Sequence, residues 1–362
     1  MAEFDMGIGM PPSSPKKKTA KKKKKKKGFF KQMYEGLFPV KGDDKGEIIR
    51  KIIFLLSLII LVISGVIVIR FYLIGENAGE YNQRLNDELL LNANITQEQI
   101  DNLPENAINT KLAAYYEKNN DTIGYISIPY TNINYVVVQD KTGKAEGNDY
   151  YLYHDFEGNR KEEGWIFVDF RNEIKPNVPR ANTVIYGHNL YTKHMFQALE
   201  NYTELDFLKK SPTFTFDTLY EKAQYKIFGV MITNTLEEHG EVFDYHNYLN
   251  FDNEQEFNYY VTQILDRSMF TTGVDLQYGD ELVTLSTCDF KSYNLKDLRL
   301  VIFGRKLREG ESPYVDTENI TNNEGYRLID RLYKDNPKKY GEKWEGRKWD
   351  TSLVKNFDKY TY

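Results

Sequence analysis

The residues Leu282-Val-Thr-Leu-Ser-Thr-Cys288-Asp289 form a run dominated by aliphatic and β-branched side chains. This composition predicts a β-strand over 282–287, and Cys288 lies where that strand ends. After the polar loop 289–297, the apolar run Leu298-Arg-Leu-Val-Ile-Phe-Gly-Arg-Lys306 predicts a second strand. If the two strands are neighbours, Cys288 and Arg299 face one another across the strand ends.

Outward from this pair, the chain contains six further segments with the composition of short strands and only a few helical patterns. Short strands separated by turn signals predict a mainly β fold, namely a closed eight-stranded β-barrel with N-terminal helices and a helix inserted before the cysteine strand. The strands are predicted at Ile123–Ile128, Asn134–Val138, Trp165–Asp169, Thr183–Tyr186, Thr213–Phe216 and Tyr225–Thr233, and the helices at Lys193–Asn201, Asn253–Arg267, Ala107–Lys118 and after a capping box at Thr96–Gln99.

An apolar segment precedes the barrel. Ile52–Ile69 is 18 residues without a charged side chain, and the run resumes after Arg70 as far as Ile74. At about 1.5 Å per residue, this helix spans a hydrocarbon core of about 30 Å. The run is too long for a signal peptide and no cleavage site follows it promptly. Residues 52–74 are therefore predicted to be an uncleaved transmembrane anchor.

Charge is distributed unevenly on the two sides of this anchor. Residues 1–51 contain 14 lysines and Arg50 against six acidic residues, a net charge of about +9, whereas the remainder carries about −14. Lysines before a transmembrane helix place the N terminus in the cytoplasm and the following residues outside the cell, in the plasma membrane. The same lysines predict binding to anionic lipid and not to nucleic acid, because no aromatic residues are interleaved with them.

The chain is therefore predicted to contain five segments. The residues before the barrel are polar, Asn-rich and weakly patterned, and those after it are aromatic and charged. The last segment has no predicted role, and either a packed extension or a partly ordered tail fits its composition. The segments are a basic cytoplasmic tail (1–51), the anchor (52–74), an extracellular stalk (75–94), the barrel (95–307) and a C-terminal extension (308–362).

Cys288 is the only cysteine of the chain, so it cannot form an intramolecular disulfide. A neutral thiol is a weak nucleophile, but a neighbouring imidazolium lowers its pKa and can protonate a leaving amine. His188, in the loop that follows the strand ending at Tyr186, is the candidate for this role. Arg299 remains protonated and offers five N–H donors to an oxyanion.

Each of these residues also has an ordinary structural interpretation. A lone buried cysteine can be a small apolar side chain, and His188 can be a loop histidine without a catalytic role. Arg299 can be a charge at a strand edge, and Arg305 and Arg308 compete with it as candidates. The spacing alone leaves these alternatives open.

Three motifs taken together resemble those of sortases, especially class B sortases: Thr284-Leu-Ser-Thr-Cys288, Thr183-Val-Ile-Tyr-Gly-His188-Asn189 and Arg299-Leu-Val. The segment Gly164-Trp-Ile-Phe-Val-Asp-Phe-Arg-Asn172 is similar to a further class B segment. The resemblance covers about residues 95–307. It implies a sortase-type barrel, and each motif on its own would be a weak signal.

The resemblance implies a membrane-anchored cysteine transpeptidase of the Gram-positive cell surface. Cys288 would cleave a sorting signal near the C terminus of a secreted protein after a threonine, with His188 as general acid and base and Arg299 as the residue that orients substrate. An amine of a cell-wall precursor cross-bridge would then resolve the thioacyl enzyme. Tyr186 and Ser286 match positions that line the pocket of the family. The resemblance implies neither a cofactor nor a metal.

Other functions are alternatives at this stage. The extension and the long lysine-rich tail leave open a pilin-polymerising role, with a pilin lysine as the acceptor. A non-enzymatic receptor on a membrane stalk is a second alternative. A papain-like hydrolase would place its cysteine near a helix start and not at a strand end. A metalloenzyme would need clustered ligands, and the five histidines show no metal-binding pattern.

Overall fold

The computed structural model describes residues 28–91, 94–144 and 146–360. The chain divides into two units, with the boundary between Ile69 and Arg70. The barrel lies in the second unit. The lysine run over residues 16–27, on which the membrane orientation was predicted, lies outside the described residues.

The first unit contains helix α1 (Phe29–Leu37) and the start of helix α2 (Lys45–Asn86). Near the beginning of α2 the buried Lys51 donates hydrogen bonds through Nζ to the carbonyl oxygen of Glu35, at 2.6 Å, and to Asp43 Oδ2, at 2.7 Å. Beyond it, most apolar side chains between residues 52 and 69 are exposed. The stretch Lys45–Arg70 is long and apolar enough to cross a membrane, as expected for the predicted anchor.

The second unit contains a closed barrel in which the strands follow the order β1-β2-β3-β4-β8-β9-β6-β5. This confirms the predicted eight-stranded barrel, and each predicted strand overlaps an observed one. Two further short strands form a separate sheet. The strands are β1 (Thr122–Ser127), β2 (Asn134–Val138), β3 (Phe167–Val168), β4 (Asn182–Tyr186), β5 (Thr213–Thr218), β6 (Gln224–Asn234), β7 (Phe270–Thr271), β8 (Leu282–Asp289), β9 (Leu298–Lys306) and β10 (Thr321–Asn322).

Helices occupy the connections and the C-terminal extension. The remaining α-helices are α3 (Gln97–Asp101), α4 (Ala113–Lys118), α5 (Asp149–Leu152), α6 (Leu205–Lys210), α7 (Glu254–Arg267), α8 (Asp330–Asp335) and α9 (Pro337–Tyr340). Short 3-10 turns lie at Thr110–Leu112, Gln197–Thr203, Glu237–His239, Tyr245–Asn247, Thr317–Asn319, Thr351–Leu353 and Phe357–Tyr360, and a π-helical turn lies at Asp87–Leu91.

Of two helices that were predicted from local sequence, one forms and the other does not. The capping box forms before α3, where Thr96 accepts from the amide of Gln99 and the Gln99 side chain accepts from the amide of Thr96. The helix predicted at 193–201 is wrong, because Lys193 and Met195 have positive φ angles of 69° and 54° that an α-helix does not allow. A 3-10 turn forms there instead, beginning at residue 197.

The predicted stalk over 75–94 also needs correction, because its second half packs against the barrel. Leu85 is 2% exposed and belongs to the barrel core. Asn86 donates to the carbonyl oxygen of Asn134 at 2.9 Å and accepts from the hydroxyl of Tyr115 at 2.9 Å. The polar, Asn-rich composition that suggested a solvated stalk therefore serves tertiary hydrogen bonds.

Alternate residues of β8 pack into two different apolar clusters. Val283 and Leu285 belong to the larger cluster of the barrel, whereas Leu282 belongs to a smaller cluster that α7 covers. Because side chains alternate along a strand, Cys288 lies on the same face as Leu282. Within β8, Cys288 is the one residue that is not buried.

The C-terminal extension is packed against the smaller cluster. Trp349 is 6% exposed, its indole N–H donates to Asp266 Oδ1 at 2.8 Å, and its ring meets Phe357 edge to face. Leu276 pairs with Val354 through an isolated bridge. The sequence left open a packed extension or a partly ordered tail, and in the structure the extension is packed.

We expect Trp349→Ala to lower the free energy of unfolding by about 3–5 kcal/mol, because it opens a cavity and leaves the buried Asp266 without its indole partner. The measurement is urea unfolding of the full-length chain in mild detergent, followed by fluorescence. Tyr314→Ala is the control, because Tyr314 is 71% exposed and should change stability by about 0.5 kcal/mol at most. Equal stability of the two variants would contradict the packed extension.

Candidate active site

Cys288 and Arg299 lie opposite each other in the barrel wall. Strands β8 and β9 are antiparallel, and Cys288 is the register partner of Arg299. Residues directly opposite in an antiparallel pair project from the same face with their Cβ atoms about 4.5–5.5 Å apart. The structure therefore confirms that β8 and β9 are neighbours, and it places Cys288 directly opposite Arg299.

His188 reaches the same place through the parallel pairing of β4 with β8, in which Tyr186 lies opposite Ser286. Two contacts hold the residue that follows β4: Gly187 donates its amide to the Ser286 carbonyl at 3.3 Å, and Thr287 donates its hydroxyl to the Gly187 carbonyl at 2.7 Å. A side chain at position 187 would meet the ring of Phe196 at 2.8 Å. Glycine is therefore needed for the close packing that brings His188 beside the end of β8.

A cavity of about 340 Å³ opens at this end of the barrel. All five candidate residues line it: His188, Cys288, Arg299, Tyr186 and Ser286. The remaining wall consists of Asn148, Leu152, Phe167, Gly187, Thr235, Tyr245, His246 and Thr287. The structure therefore brings a thiol, an imidazole and a guanidinium to one opening, as acyl transfer requires.

The imidazole of His188 is oriented by the backbone. Its Nε2 atom lies 2.9 Å from the carbonyl oxygen of Leu152, and because a carbonyl can only accept, Nε2 is the donor. Nδ1 is then the nitrogen of the neutral ring that can accept a proton. Burial and, secondarily, the positive charge of Arg299 lower the pKa of His188, against the opposing effect of the Leu152 carbonyl. The neutral ring, a competent base, is thus favoured near neutral pH.

Asn189 supports the cysteine, and the sequence argument did not assign it a role. Its side-chain amide donates to the carbonyl oxygen of Cys288 at 2.8 Å and to Glu200 Oε1 at 2.7 Å. Both N–H groups are therefore used, and the backbone of Cys288 is tied to the loop that carries His188. In the sequence, only the position of Asn189 next to His188 could have marked it as part of the site.

Tyr186 is held by the buried Asp169, which forms an ion pair with the exposed Arg171. Its hydroxyl donates to Asp169 Oδ2 at 3.0 Å, and Arg171 donates to both oxygens of Asp169 at 2.9 Å. Burial opposes ionisation of Asp169, but hydrogen bonds from Arg171 and Asn148 outweigh it and lower the pKa. The carboxylate is therefore charged at neutral pH, and it fixes Tyr186 in the cavity wall.

The opposite wall is supplied by the loop before α7, where sequence reasoning found no candidate. Tyr245 shares a hydrogen bond of 2.7 Å with Ser286 through their hydroxyl oxygens. His246 follows it in the same 3-10 turn and also lines the cavity. No local motif marks these residues, because their role depends on how this loop folds back over β8.

The competing arginines lie elsewhere. Arg305 is buried and donates to both oxygens of Glu311 at 2.6 Å, and Arg308 pairs with Asp280 and Asp275. Neither lines the cavity. Over residues 28–91, 94–144 and 146–360, no group of three His, Cys, Asp or Glu side chains is arranged to hold a metal ion.

Comparison with known proteins gives consistent matches. The sortase domain model matches residues 126–307. Sortase B of Staphylococcus aureus is 33% identical over 192 residues, which are 52% of this chain and 72% of that protein. Sortase B of Listeria monocytogenes is 31% identical over 248 residues, which are 68% of this chain and 94% of that protein.

Two solved structures have a similar fold. The crystal structure of Staphylococcus aureus sortase B has a TM-score of 0.51 and 26% identity, covering 64% of this chain and 98% of that one. The structure of sortase B from B. anthracis in complex with AAEK2 has a TM-score of 0.52 and 25% identity, covering 63% of this chain and 95% of that one.

We expect Arg299→Gln to raise the pKa of His188, because removing the guanidinium removes a positive charge that disfavours the imidazolium. The measurement is an NMR titration of the imidazole protons in the full-length chain. Arg308→Gln is the matched control, since it removes the same charge outside the cavity. An unchanged or lowered pKa in Arg299→Gln would contradict the arrangement.

Proposed function

The chain belongs to the sortase family, within it to class B, and is a cysteine transpeptidase; on this premise we propose that it transfers secreted proteins to an amine of the cell wall. Its substrates would carry a C-terminal sorting signal that is cleaved after threonine. The observation that carries the proposal is the pairing of Cys288 with Arg299 at one cavity that also holds His188. Family membership sets aside the receptor and papain-like alternatives.

In the first half-reaction, Cys288 Sγ attacks the threonine carbonyl carbon while its proton passes to His188. The oxyanion that develops needs fixed donors, and the guanidinium of Arg299 supplies charged N–H groups at that place. The C–N bond breaks, and the leaving amine takes the proton from His188. A thioester remains on Cys288.

In the second half-reaction an amine attacks the thioester carbonyl and gives a proton to His188. The C–S bond breaks, and the proton returns to the sulfur. One amide bond has been exchanged for another, so the balance requires neither an oxidant nor a cofactor. Tyr186 and Ser286, fixed by Asp169 and Tyr245 respectively, would shape the wall against which the sorting signal lies.

The proposed location is the plasma membrane, with the N terminus in the cytoplasm and the barrel outside the cell. The helical stretch Lys45–Arg70 has the length and composition of a membrane span. Lysines precede it in the sequence, and lysines are retained on the cytoplasmic side. Membrane lipid would be contacted through residues 52–74 and through the basic tail. The proposed segment boundaries remain as predicted, except that residues from Tyr81 onward pack on the barrel.

The acceptor is the part of the function that needs the sharpest test. The full-length chain in detergent would be incubated with a panel of sorting-signal peptides and with two kinds of amine, cross-bridge peptides and a peptide presenting a lysine side chain. Mass spectrometry reads the products. A ligated cross-bridge product supports wall anchoring, whereas exclusive ligation to the lysine side chain would replace it with pilin polymerisation.

We expect Cys288→Ala to abolish both the thioacyl adduct and the transpeptidation product while the unfolding transition is retained. The physical reason is that no other thiol exists in the chain and the side chain is only partly buried. Intact-mass analysis after substrate addition measures the adduct. Turnover by this variant would overturn the assignment of the nucleophile.

Arg299→Lys should lower kcat/KM by about 100-fold or more, because an ammonium cannot reproduce the donor fork of a guanidinium. Arg305→Lys is the matched control for activity. Its arginine pairs with Glu311 away from the cavity, so it should change stability more than turnover. Near-normal turnover of Arg299→Lys would remove Arg299 from the proposed mechanism.

A further inference from the structure

A second cavity, which we call the extension cavity, lies in the C-terminal segment that the sortase domain model does not match. Its volume is about 380 Å³, within the range of about 300–1,000 Å³ typical of small-molecule sites. Aromatic and lysine side chains dominate its lining, including Tyr326, Tyr340, Trp344, Lys339, Lys343 and Lys348.

The walls of the extension cavity are held by specific contacts. Tyr333, 7% exposed, accepts the amide hydrogen bond of Leu328 at 2.8 Å. Tyr293 meets Tyr340 edge to face at 6.4 Å between ring centroids, and its hydroxyl lies 3.3 Å from that of Tyr326. These contacts fix the shape of the cavity. One of its walls is contributed by Tyr293, which lies in the loop between β8 and β9.

The charge of this lining favours an anion. Lys339 lies over the ring of Tyr340 at 4.7 Å, and Lys348 is 3.6 Å from Glu345, the single acidic residue of the lining. Lys343 has no carboxylate partner among the residues that the structure describes. Three ammonium groups against one carboxylate leave a net positive opening.

Trp344 supplies a second, independent signal. Its indole nitrogen is buried and has no hydrogen-bond partner among the described residues. An unsatisfied buried donor costs about 1–3 kcal/mol, so an acceptor oxygen supplied by a ligand would recover that free energy. Arg327 lies 5.7 Å from the centre of the same ring, and its guanidinium pairs with Glu241 at 2.8 Å.

We propose that the extension cavity binds an anionic oligosaccharide, that is, pyranose rings bearing carboxylate or phosphate groups. The C–H face of a pyranose is apolar and packs on aromatic rings, its hydroxyls can pair with tyrosine hydroxyls and the indole N–H, and its anionic groups match the lysines. The flat rings with polar edges fit such a ligand better than an acidic peptide, whose backbone offers no comparable face.

The bound saccharide would lie beside the loop that joins Cys288 to Arg299, because Tyr293 of that loop lines the extension cavity. The inference rests on the extension cavity, including Tyr293 of this loop, and does not depend on the proposed transpeptidation. A loss of saccharide binding and a loss of catalysis are therefore separate results, and Cys288→Ala should bind the saccharide as the unmodified chain does.

Isothermal titration of the full-length chain in detergent at low salt tests the proposal. The probes are oligogalacturonate, an uncharged maltooligosaccharide of equal length, oligoglutamate and oligothymidylate. Oligogalacturonate should bind most tightly, and added salt should weaken it. Equal or tighter binding of oligoglutamate or oligothymidylate would overturn the proposal in favour of an acidic peptide or a nucleic acid, and no binding of any probe would overturn it outright.

Variants place the binding in the cavity. Lys343→Gln should weaken oligogalacturonate binding by about threefold or more through the lost charge, and Trp344→Leu by about fivefold through the lost ring and N–H. Lys175→Gln is the matched control, because Lys175 pairs with Glu173 outside the cavity. Unfolding curves identify any variant that fails to fold. Because Lys343 is exposed, Lys343→Gln should fold normally, so the test remains decisive even if Trp344→Leu does not fold. Unchanged affinity in Lys343→Gln would contradict the site.

Discussion

The register of β8 between β4 and β9 is the constraint on which the rest of the structure depends. A slip of one residue in a β-pairing moves every side chain to the opposite face. Here such a slip would turn Arg299 away from Cys288 and would move the residues of β8 from one apolar cluster to the other. Because β8 is buried along its length except at Cys288, core packing and placement of the Cys288 thiol are decided by the same register.

The cavity exists because the cover over one face of β8 is incomplete. Leu282 on this face lies beneath α7 in the smaller apolar cluster, together with Tyr245 and Tyr260. Further along, Thr284 bonds to Asn182 and Ser286 to Tyr245. At Cys288 the covering residues end, and the space that remains is the cavity. Within a few residues of β8, the side chains on this face thus change from fully buried to accessible from the cavity.

The buried polar groups of the site have hydrogen-bond partners within the protein, and these hydrogen bonds make the arrangement rigid. Asn189 uses both amide hydrogens to tie the cysteine backbone to Glu200. Asp169 takes three side-chain partners, Arg171, Asn148 and Tyr186. Leaving any of these groups unpaired would cost about 1–3 kcal/mol or more. These contacts hold Tyr186 and the backbone of Cys288 in place, and the Leu152 carbonyl orients His188. Preorganisation of this kind favours acyl transfer.

The sequence by itself determined the eight barrel strands, the inserted helix α7 and the apolar span, because strand composition and helix periodicity are local signals. It also made Cys288 and His188 candidates, but it left Arg299 in competition with Arg305 and Arg308. It failed at residues 193–201, where positive φ angles stop the predicted helix, and in the predicted stalk, where Asn82 and Asn86 donate hydrogen bonds to the barrel. Asn189, Tyr245 and the Leu152 carbonyl could not be found locally, since each acts on a residue distant in sequence. Only the tertiary structure decided between Arg299 and its rivals, because cross-strand register, and not spacing along the chain, determines which guanidinium faces the thiol.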